Sequence, residues 1–495
     1  MFKLTDLDSR FPTTLLSKLT PREDQIRDYR TLVTLHKSKD YSEVGTGKTL
    51  VSQLYILHRL ILEDKPVLII MPPALIPQYM QAFAGFSLGG KPLSMARLHD
   101  DMRKRENILD QWDAKGWPPI LVMSYQLFVK YSIWIEKARH YKSVVADEAQ
   151  AVSNISTKAF QSLFRLSIAR MDVLLMTATP AVTELIHAYG HIRLCTPKVY
   201  VNLREFERRH VLYAPQEVAG KMVPQIVGYK DVEVLGQRLM TGAVRRRQKD
   251  VLSLKALNIF DHKVVLSPEH SELYRTFVNE WMLEYGDEIL LAKNRQALRQ
   301  RALQLVTNIN RYTEKPVDDA AYENLQEIMR KIDLSATKLL IFCNFKQTVQ
   351  HLADRLQGLN PALVYGDSNI PANIKKLLED GTCRVGILNF QSGGAGFNLQ
   401  SVAHHIIVYE AIGSPGALQQ VIGRSYRGGQ ENPVLVWLFR YYRTMSYKLF
   451  QKGFSRAEDM KVSMQDRECL LDFLSATGRD IDLREELGIS DEPPF

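Results

Sequence analysis

Ser42-Glu43-Val44-Gly45-Thr46-Gly47-Lys48-Thr49 is the stretch from which the rest of this chain can be read. Glycines at 45 and 47 let backbone N–H groups curl around phosphate oxygens, Lys48 can reach the outer phosphates, and the Thr49 hydroxyl can ligate magnesium. The pattern therefore points to ATP with Mg2+, although its first position is Ser42 where glycine is usual. The competing reading is a glycine-containing turn ahead of a helix. The neighbouring segments favour the nucleotide: Leu50 to Leu62 reads as an apolar helix and Val67-Leu68-Ile69-Ile70-Met71 as a buried strand, the alternation of a doubly wound α/β sheet.

Two further segments carry chemistry. Ser143-Val144-Val145-Ala146-Asp147-Glu148-Ala149-Gln150 is an apolar strand ending in adjacent carboxylates. In a nucleotide motor, Asp147 would hold magnesium and Glu148 would orient or deprotonate the attacking water. Far downstream, Gln420-Val421-Ile422-Gly423-Arg424-Ser425-Tyr426-Arg427-Gly428-Gly429-Gln430 places two arginines three apart, which on a helix would share one face. Guanidinium groups suit a transition state with charge spread over phosphoryl oxygens. Taken alone, an acid pair at a strand end reads as a solvated turn and an arginine pair as a basic surface; together with the glycine loop they read as one catalytic set.

With these segments in order, the chain resembles a superfamily-two helicase motor of the Swi/Snf type. Leu19-Thr20-Pro21-Arg22-Glu23-Asp24-Gln25 resembles the adenine-reading segment, which implies that Gln25 contacts the base edge and Arg22 lies near its face. Ser42 to Thr49 resembles motif I, Met71 to Gln78 motif Ia, Met123-Ser124-Tyr125-Gln126-Leu127 motif Ib, Asp147 to Gln150 motif II and Met176-Thr177-Ala178-Thr179-Pro180 motif III. Asn154 sits where the group has an Asn after motif II. Later, Leu340 to Lys346 resembles motif IV, Gln391 to Gln400 motif V and Gln420 to Gln430 motif VI. The resemblance implies catalytic roles for Lys48, Asp147, Glu148, Gln420, Arg424 and Arg427. It implies nucleotide contacts from Arg22, Gln25, Gly45, Thr46, Gly47, Lys48, Thr49 and Gly396, with Thr49 and Asp147 holding the metal. DNA contacts would come from Pro72, Gln78, Ser124 and Tyr125 in the first half, and from Asn344, Lys346, Ser392 and Gly393 in the second.

Three positions depart from the family pattern. Gln150 stands where the group has His, Cys343-Asn344 replaces the usual Ser-Gln, and Glu410-Ala411-Ile412-Gly413-Ser414-Pro415 replaces a segment that carries a tryptophan. None removes a residue of the hydrolytic set. About 160 residues separate Thr177 from Leu340, more than a lobe-to-lobe linker needs. In the family this gap holds helical protrusions. Val244 to Leu252 resembles the basic stretch after the first of them, Lys263 to Tyr274 the crossing strand and following helix, and Leu298 to Leu305 an amphipathic helix of the second.

The expected fold is α/β: two RecA-like lobes with mainly parallel sheets, plus helical protrusions between motifs III and IV. Lobe one would span 1–197, insertions and linker 198–337, lobe two 338–477, and an acidic tail 478–495. Strands are expected at Val67–Met71, Ile120–Met123, Ser143–Ala146 and Val173–Met176, then at Lys338–Cys343, Ala362–Tyr365, Arg384–Leu388 and His404–Tyr409, with functional loops at their carboxyl ends. ATP would sit between the lobes, with Arg424 and Arg427 opposite the phosphate loop.

Composition bounds the partners. The 495 residues are 45% hydrophobic, enough for two or three cores, and the net charge of +9 favours an anionic partner. Arg245, Arg246, Arg247 and Lys249 form one basic cluster, and Lys293, Arg295, Arg299 and Arg301 another; each reads either as a contact for that partner or as a solvated helical face. Four scattered cysteines, Cys195, Cys343, Cys383 and Cys469, lack metal-ligand spacing and fit a reducing compartment. No leader pattern opens the chain, and no run approaches the ~18 apolar residues that span a bilayer. The expectation is a monomeric motor of bacterial or phage type in the prokaryotic cytoplasm or that of an infected host, acting on double-stranded DNA without sequence preference and recruited by a protein partner. A strand-separating DNA or RNA helicase, or a nucleotide-gated scaffold with little turnover, are the alternatives.

Overall fold

The computed structural model describes residues 1–450 apart from 100, 170, 181–183, 219–220, 286–287, 314–315, 391–396 and 414. These residues divide into two compact units, Met1–Leu254 and the residues from Lys255 onward. The segment 198–337 is thus shared between them.

The first unit is built on a seven-stranded sheet. Its strands are β1 Lys37–Asp40, β2 Val67–Met71, β3 Ala96–Arg97, β4 Ile120–Ser124, β5 Ser143–Asp147, β6 Asp172–Met176 and β7 Ala243–Val244. They lie in the order β7-β1-β6-β5-β2-β4-β3, and every pairing is parallel. Parallel strands covered by helices on both faces read as unbroken apolar runs, and the residues of β2 alternate accordingly. Val67, Ile69 and Met71 enter one buried cluster while Leu68 and Ile70 enter the other.

The strand β1 has the sequence Lys-Ser-Lys-Asp and is nevertheless buried: Lys39 is 0% and Asp40 1% exposed. The Lys39 ammonium is satisfied by the Leu239 carbonyl at 2.7 Å, and burial lowers its pKa to about 8. After β1 the chain turns through the glycine loop into α2, Lys48–Leu57, which continues as a short π-helical turn, His58–Leu62.

The second unit is built on a six-stranded sheet: β8 Leu257–Val264, β9 Lys338–Cys343, β10 Ala362–Val364, β11 Val385–Asn389, β12 Ala403–Val408 and β13 Val434–Tyr441. Their order is β8-β13-β12-β9-β11-β10, again all parallel. Leu339, Ile341 and Cys343 of β9 pack on one face, Leu340 and Phe342 on the other. Mainly parallel sheets were expected in both halves, and both are found.

The stretch between motifs III and IV holds the expected helices and also two antiparallel hairpins. Helix Leu203–His210 leads into strands Val211–Val218 and Lys221–Tyr229, followed by helix Val232–Met240. On the other side, helix Pro268–Glu280 leads into strands Met282–Tyr285 and Glu288–Leu291, followed by helix Arg295–Leu305. Leu298, Ala302 and Leu305 of that last helix are buried, consistent with its amphipathic pattern.

Candidate functional site

Strand register sets the geometry of the first unit's site. Met176 at the end of β6 pairs with Asp147 of β5 on one side and with Asp40 of β1 on the other. The carboxyl ends of three strands are therefore flush, and the glycine loop, the acid pair and the Thr177 turn open from one edge. The backbone N–H of Thr177 donates to the Asp40 carbonyl at 3.0 Å, tying two of these turns together.

The loop needs its glycines, because Gly45 and Gly47 have φ of 80° and 87°, a region that side chains disfavour. Asp40 Oδ1 accepts the Ser42 N–H at 2.9 Å. Lys48 Nζ donates to the carbonyls of Ser42 and Glu43 at 2.7 and 3.0 Å. Desolvation pulls its pKa down while Asp40, Glu148 and Asp147 pull it back up. Thr49 is exposed at the start of α2.

Arg22 and Gln25 belong to the N-terminus of α1, Glu23–Val33, and both grip the loop: Arg22 Nη2 donates to the Thr46 carbonyl at 2.7 Å and Gln25 Nε2 to the Gly47 carbonyl at 3.2 Å. Gln25 also accepts the Arg22 N–H, and it is 3% exposed.

At the acid pair, Asp147 Oδ1 accepts the Glu148 N–H at 3.0 Å. Glu148 has φ of 51°, a left-handed conformation that costs a non-glycine residue about 1 kcal/mol or more and that clusters at functional sites. Burial, then the neighbouring Glu148, push the Asp147 carboxyl above its usual range, and Lys48 opposes the shift. A bound cation would offset that desolvation by stabilising the ionised carboxylate. Among the described residues no group of three or more His, Cys, Asp or Glu could hold a metal. The donor set present, one carboxylate and one hydroxyl beside a phosphate loop, suits a magnesium ion that takes its other ligands from phosphate and water.

Gln150, in place of the family's His, is a connector. Its Nε2 donates to Glu148 Oε2 at 2.9 Å, its Oε1 accepts from the Thr177 hydroxyl at 2.7 Å, and Thr177 Oγ1 in turn accepts the Thr179 N–H at 3.0 Å. The second acid is thereby wired to the turn after β6. A buried histidine braces the same region: His191 Nε2 meets the Ala149 carbonyl at 2.9 Å and its Nδ1 meets the Tyr41 hydroxyl at 2.9 Å. A carbonyl only accepts, so Nε2 carries the proton and Nδ1 accepts from tyrosine. Burial lowers the pKa of His191 to about 4 and keeps it neutral.

The expected DNA contacts of this unit fall into two groups. Gln78 is exposed and Pro72 partly so. Ser124 and Tyr125 are buried, unlike surface contacts. Ser124 caps helix Tyr125–Ala138 by accepting the Leu127 N–H, and the Tyr125 hydroxyl donates to the Asp147 carbonyl at 2.8 Å, supporting the acid turn.

In the second unit, Gln420 lies on helix Pro415–Ile422, but the two arginines do not share that helix. The helix stops at Ile422, and the run through Gly428 and Gly429 forms turns. The arginines instead converge on one preceding segment: Arg424 Nη1 donates to the Phe397 carbonyl at 3.3 Å, and Arg427 Nη1 to the Asn398 side chain. Ser392, Gly393 and Gly396 lie outside the described residues, as do Cys469 and the tail 478–495.

Asn344 is partly buried, with its N–H held by Glu410 at 2.5 Å. Lys346 is exposed and ion-paired with Asp367.

The basic cluster at 245–249 is divided: Lys249 is exposed, while Arg246 turns inward. Arg246 is 2% exposed and lies among Asp24, Asp28 and Asp40, with Arg247 paired to Asp250. In the second cluster, Lys293 and Arg299 are exposed.

Sequence reasoning passed over Asp40, Thr177 as a side-chain partner, and Glu410. The one available signal was position, since Asp40 ends a strand, Thr177 directly follows one and Glu410 lies two residues beyond one.

Two α/β units, each with an all-parallel main sheet, and a phosphate loop flush with an acid pair in the first define a P-loop nucleotide-binding protein of helicase type. Comparison with known families settles which one. The SNF2-related domain matches residues 41–318 and the helicase conserved C-terminal domain residues 320–429, so the chain belongs to the SNF2 family of nucleic-acid-dependent ATPases. The human DNA repair and recombination protein RAD54-like is 22% identical over 472 residues, covering 83% of this chain and 60% of the relative. The ISWI chromatin-remodeling complex ATPase ISW1 of Saccharomyces cerevisiae is 20% identical over 485 residues, 91% of this chain and 41% of the relative. The chain thus spans less than two thirds of the length of these curated relatives. Among solved structures, the Sulfolobus solfataricus SWI2/SNF2 ATPase core in complex with dsDNA is 18% identical, with a TM-score of 0.40 over 96% of this chain and 98% of that one. No helix among the described residues is long and apolar enough to cross a membrane.

Proposed function

We propose that this chain is the motor core of an ATP-driven translocase, which moves along double-stranded DNA and remodels protein–DNA or branched DNA structures. The observation that carries the reading is the flush edge of β1, β6 and β5, where the glycine loop, Asp147-Glu148 and the Gln150–Thr177 link open together. DNA as the track is supported by the relatives, whose names concern DNA repair and chromatin remodelling.

In this reading Arg22 and Gln25 receive the adenine, while the N–H groups of Gly45 to Lys48 and the Lys48 ammonium bind the β- and γ-phosphates. Thr49 and Asp147 hold magnesium, which when bound neutralises phosphate charge. Glu148, held in its left-handed turn, orients the attacking water and takes its proton. Gln150 passes the state of Glu148 to the Thr177 turn. Gln420, Arg424, Arg427 and Gly396 are assigned to nucleotide and transition-state contacts. Asn344, Lys346, Ser392 and Gly393, with Pro72 and Gln78, are assigned to the phosphate backbone, which is bound without reading sequence.

The test is steady-state ATP hydrolysis at low salt with no polymer, duplex DNA, single-stranded DNA or RNA, with Lys48→Ala as the blank. Stimulation by duplex DNA alone, abolished in Lys48→Ala, is expected. Stimulation only by single strands or RNA would replace this reading with a strand-separating helicase. Tight nucleotide binding without Lys48-dependent turnover would replace it with a nucleotide-gated scaffold.

A further inference from the structure

The phosphate loop is gripped from two remote parts of the chain. Arg22 and Gln25 hold its second half, and residues 244–248, some 200 positions downstream, hold the first. Tyr41 N–H donates to the Val244 carbonyl and Glu43 N–H to the Arg246 carbonyl, both at 2.9 Å, continuing the β1–β7 pairing into the loop. Arg245 Nη1 donates to the Tyr41 carbonyl at 2.8 Å, the Gln248 N–H to Glu43 Oε2 at 2.7 Å, and Gln248 Nε2 to the Val44 carbonyl at 2.6 Å.

Arg246 stands at the centre of this grip. Its backbone N–H and its Nε both point at the Ser42 hydroxyl, at 3.0 and 3.3 Å. Around its guanidinium lie Asp28 at 2.9 Å, Asp24 at 3.4 Å and Asp40 at 3.5 Å. One of these carboxylates is shared with the loop and another with Arg22. Asp40 also accepts the Ser42 N–H, and Asp24 also accepts Arg22 Nε at 3.0 Å, so one carboxylate joins the arginine holding the loop's first half to the arginine holding its second.

This explains the departure at the loop's first position. A glycine at 42 would offer no acceptor to the two Arg246 donors, and an arginine buried at this depth keeps its geometry only when its donors are met. Ser42 thus supplies a hydroxyl acceptor at a position where the usual phosphate-loop pattern has glycine.

We propose that Arg246 is a positioning residue for the phosphate loop, acting through the Ser42 hydroxyl that replaces the usual glycine. The proposal rests on reading that loop as the ATP site. The loop's N–H groups contact ground-state and transition-state phosphates alike, so loosening it should weaken binding more than turnover.

The experiment measures KM and kcat for ATP, the Kd of a fluorescent Mg·ADP analogue and the melting temperature. It compares the intact chain with Ser42→Gly, Ser42→Ala, Ser42→Thr, Arg246→Lys and the Ser42→Ala/Arg246→Lys double variant. Ser42→Gly, Ser42→Ala and Arg246→Lys should each raise KM and Kd by about 5- to 20-fold while kcat falls by less than about threefold. The double variant should be within about twofold of the worse single, because both changes break the same contact between Arg246 Nε and the Ser42 hydroxyl. Ser42→Thr, which keeps the hydroxyl, should recover most of the affinity lost in Ser42→Ala.

Wild-type affinity in Ser42→Gly and Ser42→Ala, or losses that multiply in the double variant, would overturn the proposal. So would a lowered melting temperature with unchanged KM and Kd. If Arg246→Lys does not fold, the contrast between Ser42→Ala and Ser42→Thr decides alone. Absence of Lys48-dependent nucleotide binding in the unsubstituted chain would remove the underlying reading of the site, and that failure is visible before any variant is compared.

Discussion

Glu410 is a fully enclosed carboxylate whose removal can be costed from its partners. It follows β12, and its two oxygens accept four hydrogen bonds: Thr307 Oγ1 at 2.5 Å and Thr348 Oγ1 at 2.7 Å on one, Asn344 N–H at 2.5 Å and Phe345 N–H at 2.9 Å on the other. Burial pushes its pKa up, and these four bonds pull against that shift. In Glu410→Ala the two hydroxyls can turn to other acceptors, but the two backbone N–H groups cannot. At about 1–3 kcal/mol for each orphaned donor, with relief of the carboxylate's own desolvation set against lost packing, the net cost is about 2–5 kcal/mol. Much of it falls on the turn at 344–345. Native-state amide exchange is the sharpest assay, because it resolves that turn from the rest of the second unit. A local loss of about 2–3 kcal/mol corresponds to exchange about 30- to 150-fold faster at Asn344 and Phe345. Glu410→Gln keeps the shape and one acceptor oxygen, so it should fall between wild type and alanine. Unchanged exchange at 344–345 in Glu410→Ala would refute the claim that this carboxylate holds the turn.

Gly190→Ala should be severely destabilising in a thermal melt, because a Cβ there would lie 2.0 Å from the Ser153 carbonyl oxygen, a backbone atom that cannot swing away. Gly47→Ala should weaken Mg·ADP binding by about tenfold or more: its φ of 87° strains any side chain, and a Cβ would meet Gln25 Nε2 at 2.4 Å, displacing the grip on the loop. Asp147 has a carboxyl raised above its ordinary range by burial, so metal binding must displace a proton that is held more readily than usual. The affinity for Mg·ADP should therefore weaken severalfold from about pH 8 to about pH 6, while metal-free ADP binding measured with a chelator should not follow the same slope. A flat Mg·ADP profile would show that Asp147 is fully ionised in the free protein.

The central strands were legible because burial on both faces leaves an unbroken apolar run, as at Val67–Met71 and Ser143–Ala146, and such runs need only local sequence to be recognised. The polar strand Lys37–Asp40 was not legible for the opposite reason. Lys39 is satisfied by the Leu239 carbonyl and Asp40 faces Arg246, partners some 200 residues away that no local pattern can reveal. The same non-locality hid the use of the basic run at 245–249, which by composition looked like surface. At Arg424 and Arg427, helical spacing misled: the helix ends at Ile422, and the arginines converge through their contacts with Phe397 and Asn398 instead.

These cases share a cause that bears on how the loop works. Hydrophobic burial specifies the sheets through short-range pattern, whereas the phosphate loop, whose glycines give it little stiffness of its own, takes its shape from polar groups supplied by distant segments. Asp24 is where those segments meet, accepting from Arg22 on one side and Arg246 on the other. A shift of β7 and the residues after it would be transmitted to Ser42 through Arg246, and to Thr46 through Asp24 and Arg22. The chain reaches β7 directly from the hairpin Val211–Tyr229 and helix Val232–Met240, so this inserted region and the phosphate loop are mechanically continuous within one unit.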